Sequence, residues 1–471
     1  MPQPNTGRQA LVIGGSIAGL LAARVLADHF GQVTLIERDR FPGEPAFRAG
    51  VPQSRHVHAF LMGGQRILAQ LFPGLADELE AAGAPRVDWF KDSETYTAFG
   101  WYPRFPSDFS AIMCSRELWE WGIRRRVAAQ ANVRFLEARE ATGLMPNAQK
   151  TGVAGVRVRQ RNAEAHAIGP EEELAADLVV DASGRDSRAP EWLEMLGYPR
   201  PQETAINSFS GYASRCYQRP ADFQADWKLL GILYAPPAIA RGGVILPIEG
   251  DRWLVTVAGV ARDYPPTDEA GFLEFARSLP VPLLYDAIKD AKPLSPVYGY
   301  QRMENRLRYY ERLPRWPEGF VVFGDAVCAF NPYYGQGMTV AAQGALALDQ
   351  HLRAQQRHQP NGSLAGLAGR FQKALAKINA TPWLMATGED LRSPETEGAR
   401  PDLMTRLTHR YTDGVKALII HDYDAYKTYI DVAHLLKPPT ALFRPGILAG
   451  VLGQLARRRE PQVPPKIERG A

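Results

Sequence analysis

Residues 10–19 form a glycine-rich pattern of the kind that binds the phosphates of a dinucleotide. The apolar run Ala10–Ile13 is followed at once by Gly14-Gly-Ser-Ile-Ala-Gly19. Glycines permit a tight turn and close packing of the next helix, whose N-terminal N–H groups attract a pyrophosphate. Glu37 follows Gly14 by 23 residues and ends the next apolar run, where a carboxylate can bond a ribose hydroxyl. The pattern predicts an adenine-dinucleotide site.

The same residues also fit a tight turn in an ordinary βαβ unit, because Ser16 stands where the fingerprint has its second glycine. The order of strand, turn, helix, strand and terminal acid favours the nucleotide site. The Glu37 carboxylate would repel a 2′-phosphate. The predicted ligand is therefore FAD or NAD, and not NADP.

Two later loops also follow buried strands. The run Asp177–Ala182 ends at Ser183-Gly-Arg-Asp-Ser-Arg188, and the run Phe320–Phe323 ends at Gly324-Asp325. Asn331-Pro-Tyr-Tyr-Gly-Gln-Gly-Met-Thr339 then leads into a long apolar helix, with glycines just before its exposed N–H groups. Ligands bind beyond the carboxyl ends of strands in open α/β sheets. A helix start of this kind suits an electron-rich ligand edge.

Residues that could bind a metal or act as nucleophiles show no such pattern. Cys114, Cys216 and Cys328 are widely spaced and fit neither a metal site nor a disulfide framework, so we expect reduced thiols. His56 and His58 could serve as ligands or bases, but no third ligand is near, and hydrogen-bonded loop histidines are the favoured interpretation. Metal binding is not predicted.

Composition restricts the class of protein. A chain of 471 residues exceeds one ordinary core, and its 45% apolar and 23% charged residues are typical of globular proteins. The net charge of +4 is too small to predict nucleic-acid binding. The sequence shows no signal peptide and no run of about 20 apolar residues, so we expect a cytoplasmic protein without a transmembrane segment.

The elements that must position these loops alternate between two patterns. Buried strands and amphipathic helices predict a parallel α/β sheet, and Ser115 caps a helix that begins at Arg116. From Thr204 to Val260 the chain is strand-rich, which predicts an inserted antiparallel subdomain. Residues 161–171 are predicted to be a hairpin turn. The last helix, 440–458, is expected to close over the core, with an amphipathic surface contact as the alternative.

Five tyrosines of the inserted subdomain could line a cavity, although sheet propensity explains aromatic residues equally well. They are Tyr212, Tyr217, Tyr234, Tyr298 and Tyr300.

The three loops together resemble those of the FAD-dependent monooxygenases of the para-hydroxybenzoate hydroxylase fold, over about residues 10–352. The most specific part is Gly324-Asp-Ala with Pro332-x-x-Gly335-x-Gly337. Within that group, Gly50-Val-Pro-Gln-Ser-Arg-His-Val-His and Phe330-Asn-Pro-Tyr-Tyr-Gly-Gln-Gly-Met-Thr are similar to the polyether and polyketide epoxidase branch. Squalene-epoxidase-like enzymes and flavin halogenases are neighbours.

The resemblance implies an α/β fold with a Rossmann-like (GR2-type) FAD-binding domain, an inserted antiparallel β-sheet substrate domain and a C-terminal helical region. We divide the chain into three FAD-binding parts (7–90, 91–200 and 304–390), a mainly β substrate domain (201–303), helices (391–460) and a disordered tail (461–471).

The resemblance also assigns roles to residues. Arg116, otherwise a solvated charge, would contact the ribityl–phosphate region, and Asp325 would bond the ribityl chain. Arg48 matches an arginine near the flavin and, with Gly335, Gln336 and Gly337, is a candidate for catalysis. Tyr212, Tyr234 and Tyr300 are the substrate candidates. The implied FAD-binding residues are Gly14, Gly15, Ser16, Ile17, Ala18, Gly19, Glu37, Arg38, Arg48, Arg116, Gly324, Asp325, Pro332, Gly335, Gln336, Gly337 and Met338.

The implied reaction is oxygen transfer from O2 through a C4a-hydroperoxyflavin to an apolar substrate, by epoxidation of an alkene or hydroxylation of an aromatic ring. One departure bears on the electron source. The family's middle motif has Asp-Gly where this chain has Ser183-Gly184, and the usual Asp is associated with binding FAD and NAD(P)H. NAD(P)H therefore acts either directly or through a partner flavin reductase.

Three alternatives to oxygenation remain open. A flavin reductase or dehydrogenase would saturate prenyl-type chains, and a non-enzymatic protein would only bind flavin. A flavin halogenase would need a tunnel lysine and a Trp-x-Trp-x-Ile-Pro segment. Here Trp119-Glu-Trp-Gly-Ile123 lacks the proline, and Lys91 is the only lysine before Lys150.

Overall fold

The structure is a computed structural model that describes residues 5–161 and 170–456. Most of the predicted turn at 161–171 and the whole predicted tail at 461–471 lie outside the described residues. The strands are β1 (Asn5–Ile13), β2 (Phe30–Ile36), β3 (Arg86–Asp88), β4 (Ser93–Thr97), β5 (Gly100–Trp101), β6 (Ser110–Ile112), β7 (Val133–Leu136), β8 (Arg139–Pro146), β9 (Val153–Gln160), β10 (Glu171–Ala175), β11 (Leu178–Asp181), β12 (Glu203–Ile206), β13 (Gly211–Gln218), β14 (Leu229–Ile232), β15 (Arg241–Ile248), β16 (Arg252–Gly259), β17 (Tyr298–Tyr300), β18 (Asn305–Arg308), β19 (Phe320–Val322) and β20 (Cys328–Ala329). The helices are α1 (Ile17–Ala27), α2 (Met62–Leu71), α3 (Leu75–Ala81), α4 (Trp89–Asp92), α5 (Arg116–Ala128), α6 (Ala189–Met195), α7 (Glu269–Arg277), α8 (Leu283–Ile288), α9 (Gly337–His358), α10 (Leu367–Asp390), α11 (Leu403–Leu418), α12 (Tyr423–Ala433) and α13 (Pro445–Ala456).

A five-stranded parallel sheet, in the order β19-β11-β1-β2-β7, forms the centre of the molecule. The apolar runs Ala10–Ile13, Leu178–Val180 and Phe320–Val322 are buried throughout, as expected of strands that are covered on both faces. Helices α1 and α9 pack on each other and belong to the same core. The predicted α/β class is confirmed.

The register of this sheet brings the three loops to one edge. Ile13 pairs with Asp181 and with Ile36, and Asp181 pairs with Val322. The four strands that carry these residues therefore end at the same level. Parallel strands all present their carboxyl ends to one side, so the turns after β1, β11 and β19 become neighbours.

The second large sheet has seven strands in the order β17-β13-β16-β15-β14-β4-β5 and is antiparallel except where β14 meets β4. Its β16 alternates between two faces. Trp253, Val255 and Val257 belong to the core that α7 and α8 cover, whereas Thr256 and Ala258 point to the opposite face. Strands β4 and β5 come from the stretch 91–200, which we assigned to the FAD-binding domain.

The C-terminal helix begins later than expected. Residues Pro439–Phe443 form a 3₁₀ turn, and α13 starts at Pro445, whose fixed φ and missing N–H suit the first position of a helix. Ile447 and Val451 are buried, Val451 beside Gly414 of α11, while Leu448 and Leu452 are exposed. One face of the helix thus closes over the core. None of the described helices is long and apolar enough to cross a bilayer.

Candidate functional site

One cavity of about 370 Å³ joins the three strand-end loops. Sixteen of the predicted site residues line it: Gly14, Gly15, Ser16, Ile17, Ala18, Glu37, Arg38, Arg48, Arg116, Tyr300, Asp325, Pro332, Gly335, Gln336, Gly337 and Met338. The remaining predicted site residues, Gly19, Gly324, Tyr212 and Tyr234, lie behind this wall. The structure therefore brings residues from distant parts of the sequence to one site.

The first loop has the geometry of a phosphate cradle. Gly14 has a φ of +99°, and a Cβ there would lie 2.6 Å from the Ala182 carbonyl oxygen. A Cβ at Gly19 would lie 1.8 Å from the Gly14 carbonyl oxygen, so the first turn of α1 packs directly on the loop. Helix α1 begins at Ile17, and the side chain of its N-cap, Ser16, does not cap it. Its N-terminal N–H groups and the helix dipole suit an anion in the cavity.

A buried cluster of charges supports this cradle. Arg48 is 7% exposed and donates through Nε to Glu120 (2.6 Å) and through Nη2 to the Gly15 carbonyl (3.2 Å). Its Nη1 lies 3.2 Å from the carboxylates of both Glu37 and Asp39. These contacts place Arg48 at the phosphate turn. They favour a role in holding that turn over the catalytic role that we also predicted for it.

Two further charged residues complete the cluster. Arg116 donates to Ser16 Oγ (2.8 Å) and pairs with Glu120 (3.0 Å), one turn along α5. Burial lowers the pKa of Arg116. Burial alone would raise the pKa of Glu120, but Arg116 and Arg48 hold it below its usual range. Sequence reasoning missed Glu120, although its i,i+4 spacing from Arg116 was a usable signal.

Glu37 directly follows β2, and both of its carboxylate oxygens accept backbone hydrogen bonds. Oε2 accepts from Gly15 N (2.7 Å) and Oε1 accepts from Asp39 N (3.0 Å). Oε2 also faces Arg48 Nη1 (3.2 Å), whereas Oε1 keeps a second lone pair to which a ribose hydroxyl can donate. Glu37 thus links the phosphate turn to the end of β2. Arg38 lies alongside and donates to the Gly50 carbonyl (3.2 Å).

The middle loop, Ser183–Arg188, is hydrogen-bonded to Asp181 at the end of β11 and also to the third loop. Asp181 is fully buried and accepts from Ser183 N (2.9 Å) and from Ser187 Oγ. Burial raises its pKa, and its serine partners oppose that rise. Arg185 donates to the carbonyls of Glu304 (2.6 Å) and Phe330 (2.9 Å). No sequence pattern pointed to Arg185, because its partners lie far along the chain.

The third loop offers polar groups to the cavity. Among the described residues, the Asp325 carboxylate has no hydrogen-bond partner, and burial raises its pKa while Arg185 and Arg116 oppose the rise. Gly335 has a φ of +65°, and α9 begins at Gly337. Gln336 is 3% exposed, and within the described structure its Oε1 lacks a partner. The half-buried Asp325 and the buried Gln336 thus fit a polar ligand that would satisfy their unpaired oxygens.

Tyrosines cluster beside the third loop. Tyr300, on the cavity wall, stacks on Tyr212 with ring centroids 5.5 Å apart. Tyr234 stacks on Tyr333 of the loop at 3.8 Å. His56 packs against Tyr212 at 4.6 Å. The three predicted substrate residues therefore belong to one aromatic group between the seven-stranded sheet and the third loop.

The two histidines are hydrogen-bonded, as we expected. His56 Nδ1 bonds Ser214 Oγ (2.8 Å), which bonds Thr256 Oγ1 (2.6 Å), and His58 Nδ1 donates to the His56 carbonyl (2.9 Å). Burial lowers the pKa of His56 to about 3 and that of His58 to about 4, so both rings are neutral at pH 7. In residues 5–161 and 170–456, no group of three His, Cys, Asp or Glu side chains is arranged to hold a metal ion.

Several known proteins are similar to this chain in sequence or in fold. Protein Rv3254 of Mycobacterium tuberculosis is 36% identical over 386 residues, which cover 81% of this chain and 80% of that protein. In fold, the chain is similar to the flavin-dependent brominase Bmp2 (TM-score 0.65, 16% identity, 96% of this chain and 100% of that one). It is also similar in fold to PqsL, a probable FAD-dependent monooxygenase from Pseudomonas aeruginosa (TM-score 0.57, 19% identity, 82% and 97%).

All three loops lie within the residues that match one protein family. Residues 8–365 match the FAD binding domain family, and this span runs from β1 through the phosphate cradle to the end of α9. The chain therefore belongs to the FAD binding domain family.

Proposed function

We propose that this protein is an FAD-dependent monooxygenase that inserts one oxygen atom from O2 into an apolar organic substrate. The reaction would be epoxidation of an alkene or hydroxylation of an aromatic ring, as in the epoxidase-like branch that the motifs resemble. The observation that carries the proposal is the cavity itself. It runs from the phosphate cradle past Asp325 to Gln336 and Tyr300, so a cofactor lying in it would end beside the tyrosine group.

The residues of the cavity fit FAD along its length. The cradle at Gly14–Ala18, backed by Arg48 and Arg116, would hold the pyrophosphate, and Glu37 the adenosine ribose. The unpaired Asp325 carboxylate would accept from the ribityl hydroxyls, and Gly335–Met338 would lie along the isoalloxazine. Bound FAD would supply the redox chemistry with O2. The protein's own part is to orient the substrate and to exclude water.

The tyrosine group would form the substrate wall. Tyr212 and Tyr234 are each less than 10% exposed, and with Ala258 and Met303 they form one apolar cluster. Neutral His56 packs against Tyr212, while the charged Arg185 and Arg302 line the cavity beside Tyr300. Such a wall favours an apolar or aromatic substrate.

Halogenation is disfavoured by the lining of the cavity. No lysine is among the described residues that line it, whereas the halogenases that the sequence resembles use a tunnel lysine. Trp119 is buried against Phe60 in the main core, and Trp121 donates to the Gly43 carbonyl on the surface. Neither tryptophan lies on the cavity wall.

The experiment that tests the function uses purified protein loaded with FAD, NADH or NADPH, and isotope-labelled O2. The enzyme is incubated with a panel of apolar alkenes and arenes, with and without bromide, and the masses of the products are measured by mass spectrometry. Incorporation of one labelled oxygen supports the proposal. A halogenated product, a saturated product, or reoxidised flavin with every compound unchanged would overturn it.

The same assay decides the electron source. Ser183 replaces the family aspartate, and the nearby Asp181 is fully buried by its own loop. We propose that NAD(P)H reduces the flavin slowly on its own and that a partner reductase supplies the electrons. Rapid NAD(P)H oxidation by the purified protein, with no reductase added, would contradict this part. Oxygenation can be tested separately with enzyme whose flavin has been reduced by light, because that test does not depend on NAD(P)H or on a partner reductase.

Replacing Tyr300 with alanine should raise the KM for the substrate about tenfold, because an aromatic contact of about 1.4 kcal/mol is lost. Tyr300→Phe keeps the ring and should change KM by less than about twofold. Tyr298 lies on the same strand but stacks on Arg55 away from the cavity, so Tyr298→Ala is the matched control. Steady-state kinetics with the best substrate of the panel checks the prediction. Equal KM values for the two alanine variants would contradict it.

Replacing Asp325 with asparagine should affect ligand binding and stability in opposite directions. FAD affinity should fall about tenfold or more, because a charge-assisted hydrogen bond contributes about 1.5–3 kcal/mol. The apoprotein should melt at a higher temperature, because a half-buried carboxylate without a partner in the described structure is replaced by a neutral group. Fluorescence titration and calorimetry measure the two effects. Asp349→Asn, which weakens a hydrogen bond with His29 and breaks an ion pair with Arg353, should lower only stability.

A further inference from the structure

Asp390 is a buried carboxylate, and two of its hydrogen-bond partners, Asn331 and Tyr334, belong to the third loop of the proposed FAD site. It is the last residue of α10 and is 3% exposed. It accepts from Asn305 Nδ2 (2.6 Å), from Asn331 Nδ2 (3.1 Å) and from the Tyr334 hydroxyl (2.7 Å). Two of these donors lie in the loop that leads to Gly335 and Gln336. The carboxylate thus holds the loop from the side opposite the cavity.

The rest of the network makes the loop rigid. Asn331 N donates to Asn305 Oδ1 (2.7 Å), and Asn331 Oδ1 accepts from Tyr333 N (3.1 Å). On the other flank, the Tyr333 hydroxyl accepts from Tyr234 N (3.1 Å), and the two rings stack. Residues 331–334 are therefore held by side chains from β18 and α10 and by Tyr234, which lies just after β14. Gly335–Met338, which line the cavity, follow directly.

A carboxylate at position 390 is expected to lower the stability of the protein. The C-terminus of a helix carries partial negative charge, which repels a carboxylate. Burial without a cationic partner adds a desolvation penalty, and it raises the pKa of Asp390 to about 6 although its hydrogen-bond donors oppose the rise. A well-packed apolar side chain would avoid both penalties. The presence of a carboxylate despite these penalties points to a role in the geometry of the third loop.

We propose that Asp390 is a positioning residue, which as a carboxylate holds the Asn331–Tyr334 segment and thereby sets the contact of Gly335–Met338 with the flavin. The inference rests on the proposed function only for the identity of the loop as the flavin contact. When Asp390 is protonated, one of its oxygens carries a hydrogen, which points at side chains that are themselves hydrogen-bond donors. Protonation therefore weakens the network and loosens the loop.

The groups that face the network identify Asp390 as the one that titrates near pH 6. Burial raises the pKa of Tyr334 and of Tyr234 well above 10, so both stay neutral. Glu389 is drawn instead to Lys416 and Arg392, whose charges hold its pKa low. Of these four groups, Asp390 is the one whose pKa lies between 5 and 7. FAD affinity should follow its ionisation.

The test measures FAD binding by the full-length protein, without turnover, between pH 5 and 8. For the native protein, affinity should fall about tenfold on acidification through about pH 6, as expected for the loss of one hydrogen bond. Asp390→Asn should bind FAD about tenfold more weakly at pH 7.5 and should lack the acid-side fall, because its amide cannot ionise and directs N–H groups at donors. The visible spectrum of bound flavin should shift in parallel.

Two further variants keep the proposal falsifiable should Asp390→Asn fail to fold. Tyr334→Phe removes one donor to the carboxylate and should move the midpoint of the acid-side fall upward by about one pH unit. Glu389→Gln, the adjacent control, loses ion pairs but does not touch the loop, and should leave FAD affinity and its pH profile unchanged. An unchanged midpoint in Tyr334→Phe, or native FAD binding and spectrum in Asp390→Asn, would overturn the proposal. Absence of oxygenated product would overturn only the proposed reaction.

Discussion

Replacing Arg48 with methionine should lower the free energy of unfolding by about 3–5 kcal/mol, the usual effect of removing one partner of a buried ion pair. The change would leave Glu37, Asp39 and Glu120 in a buried cluster without their shared counter-charge. The Gly15 carbonyl would lose its donor as well. Denaturant unfolding of the apoprotein measures the loss.

The matched control for this change is Arg200, which also pairs with two acids, Glu191 and Glu194, but is about half exposed. Solvent screens such pairs, so Arg200→Met should change stability by about 1 kcal/mol or less. Equal effects of the two substitutions would contradict a buried cluster at the phosphate turn.

The pH dependence of stability should change with Arg48. In the native protein, Arg116 and Arg48 hold the pKa of Glu120 below its usual range, so Glu120 adds stability above its unfolded-state pKa. That stability is lost as pH falls through the lower folded-state pKa. In the Arg48→Met variant, burial still raises the pKa of Glu120, but one of the positive charges that lower it is missing. The variant should therefore lose less stability than the native protein when the pH falls from 7 to 4.

Replacing Gly19 with alanine should weaken FAD binding about 10- to 100-fold, because one charge-assisted hydrogen bond to phosphate contributes about 1.5–3 kcal/mol. The added Cβ would lie 1.8 Å from the Gly14 carbonyl oxygen, in backbone that cannot yield as a side chain can. The turn must move away from α1, and the N–H groups of the cradle move with it. Fluorescence titration of FAD measures the affinity.

Gly43 provides the control for Gly19. It lies in a loop near the site, and no atom lies within 4 Å of a Cβ built there. Gly43→Ala should therefore bind FAD as the native protein does. Gly19→Ala should also lose about 1–3 kcal/mol of stability, the usual effect of overpacking. Native affinity in Gly19→Ala would show that the phosphates lie elsewhere.

The elements that could be predicted from the sequence are those whose signal is local. Buried runs such as Ala10–Ile13 and Phe320–Phe323 predicted the central strands, since a strand covered on both faces must be apolar at every position. The Gly14–Gly19 turn and the Gly335–Gly337 loop were visible because glycine is required where the backbone turns tightly or approaches a neighbour closely. Short strands such as β12 and β18 were missed, because four residues carry too little pattern.

The arrangement of the site could not be predicted in the same way. The sequence indicated that Arg48 and Arg116 belong to the site, but their pairing through Glu120 joins residues 72 positions apart. Asp390 was not predicted at all, because it meets Asn331 across 59 positions and Asn305 across 85. A side chain's chemistry at such a site depends on which loops the core brings together.

By itself, then, the sequence determined the α/β class, the three loops and the dinucleotide, because periodicity and glycine placement act over a few residues. Only the tertiary structure decided that Arg48 bonds the Gly14–Gly15 turn, that Tyr212, Tyr234 and Tyr300 form one group, and that Asp390 bonds the loop before Gly335. The physical reason is the parallel register of β1, β11 and β19, which aligns their carboxyl ends and so sets which distant side chains become neighbours.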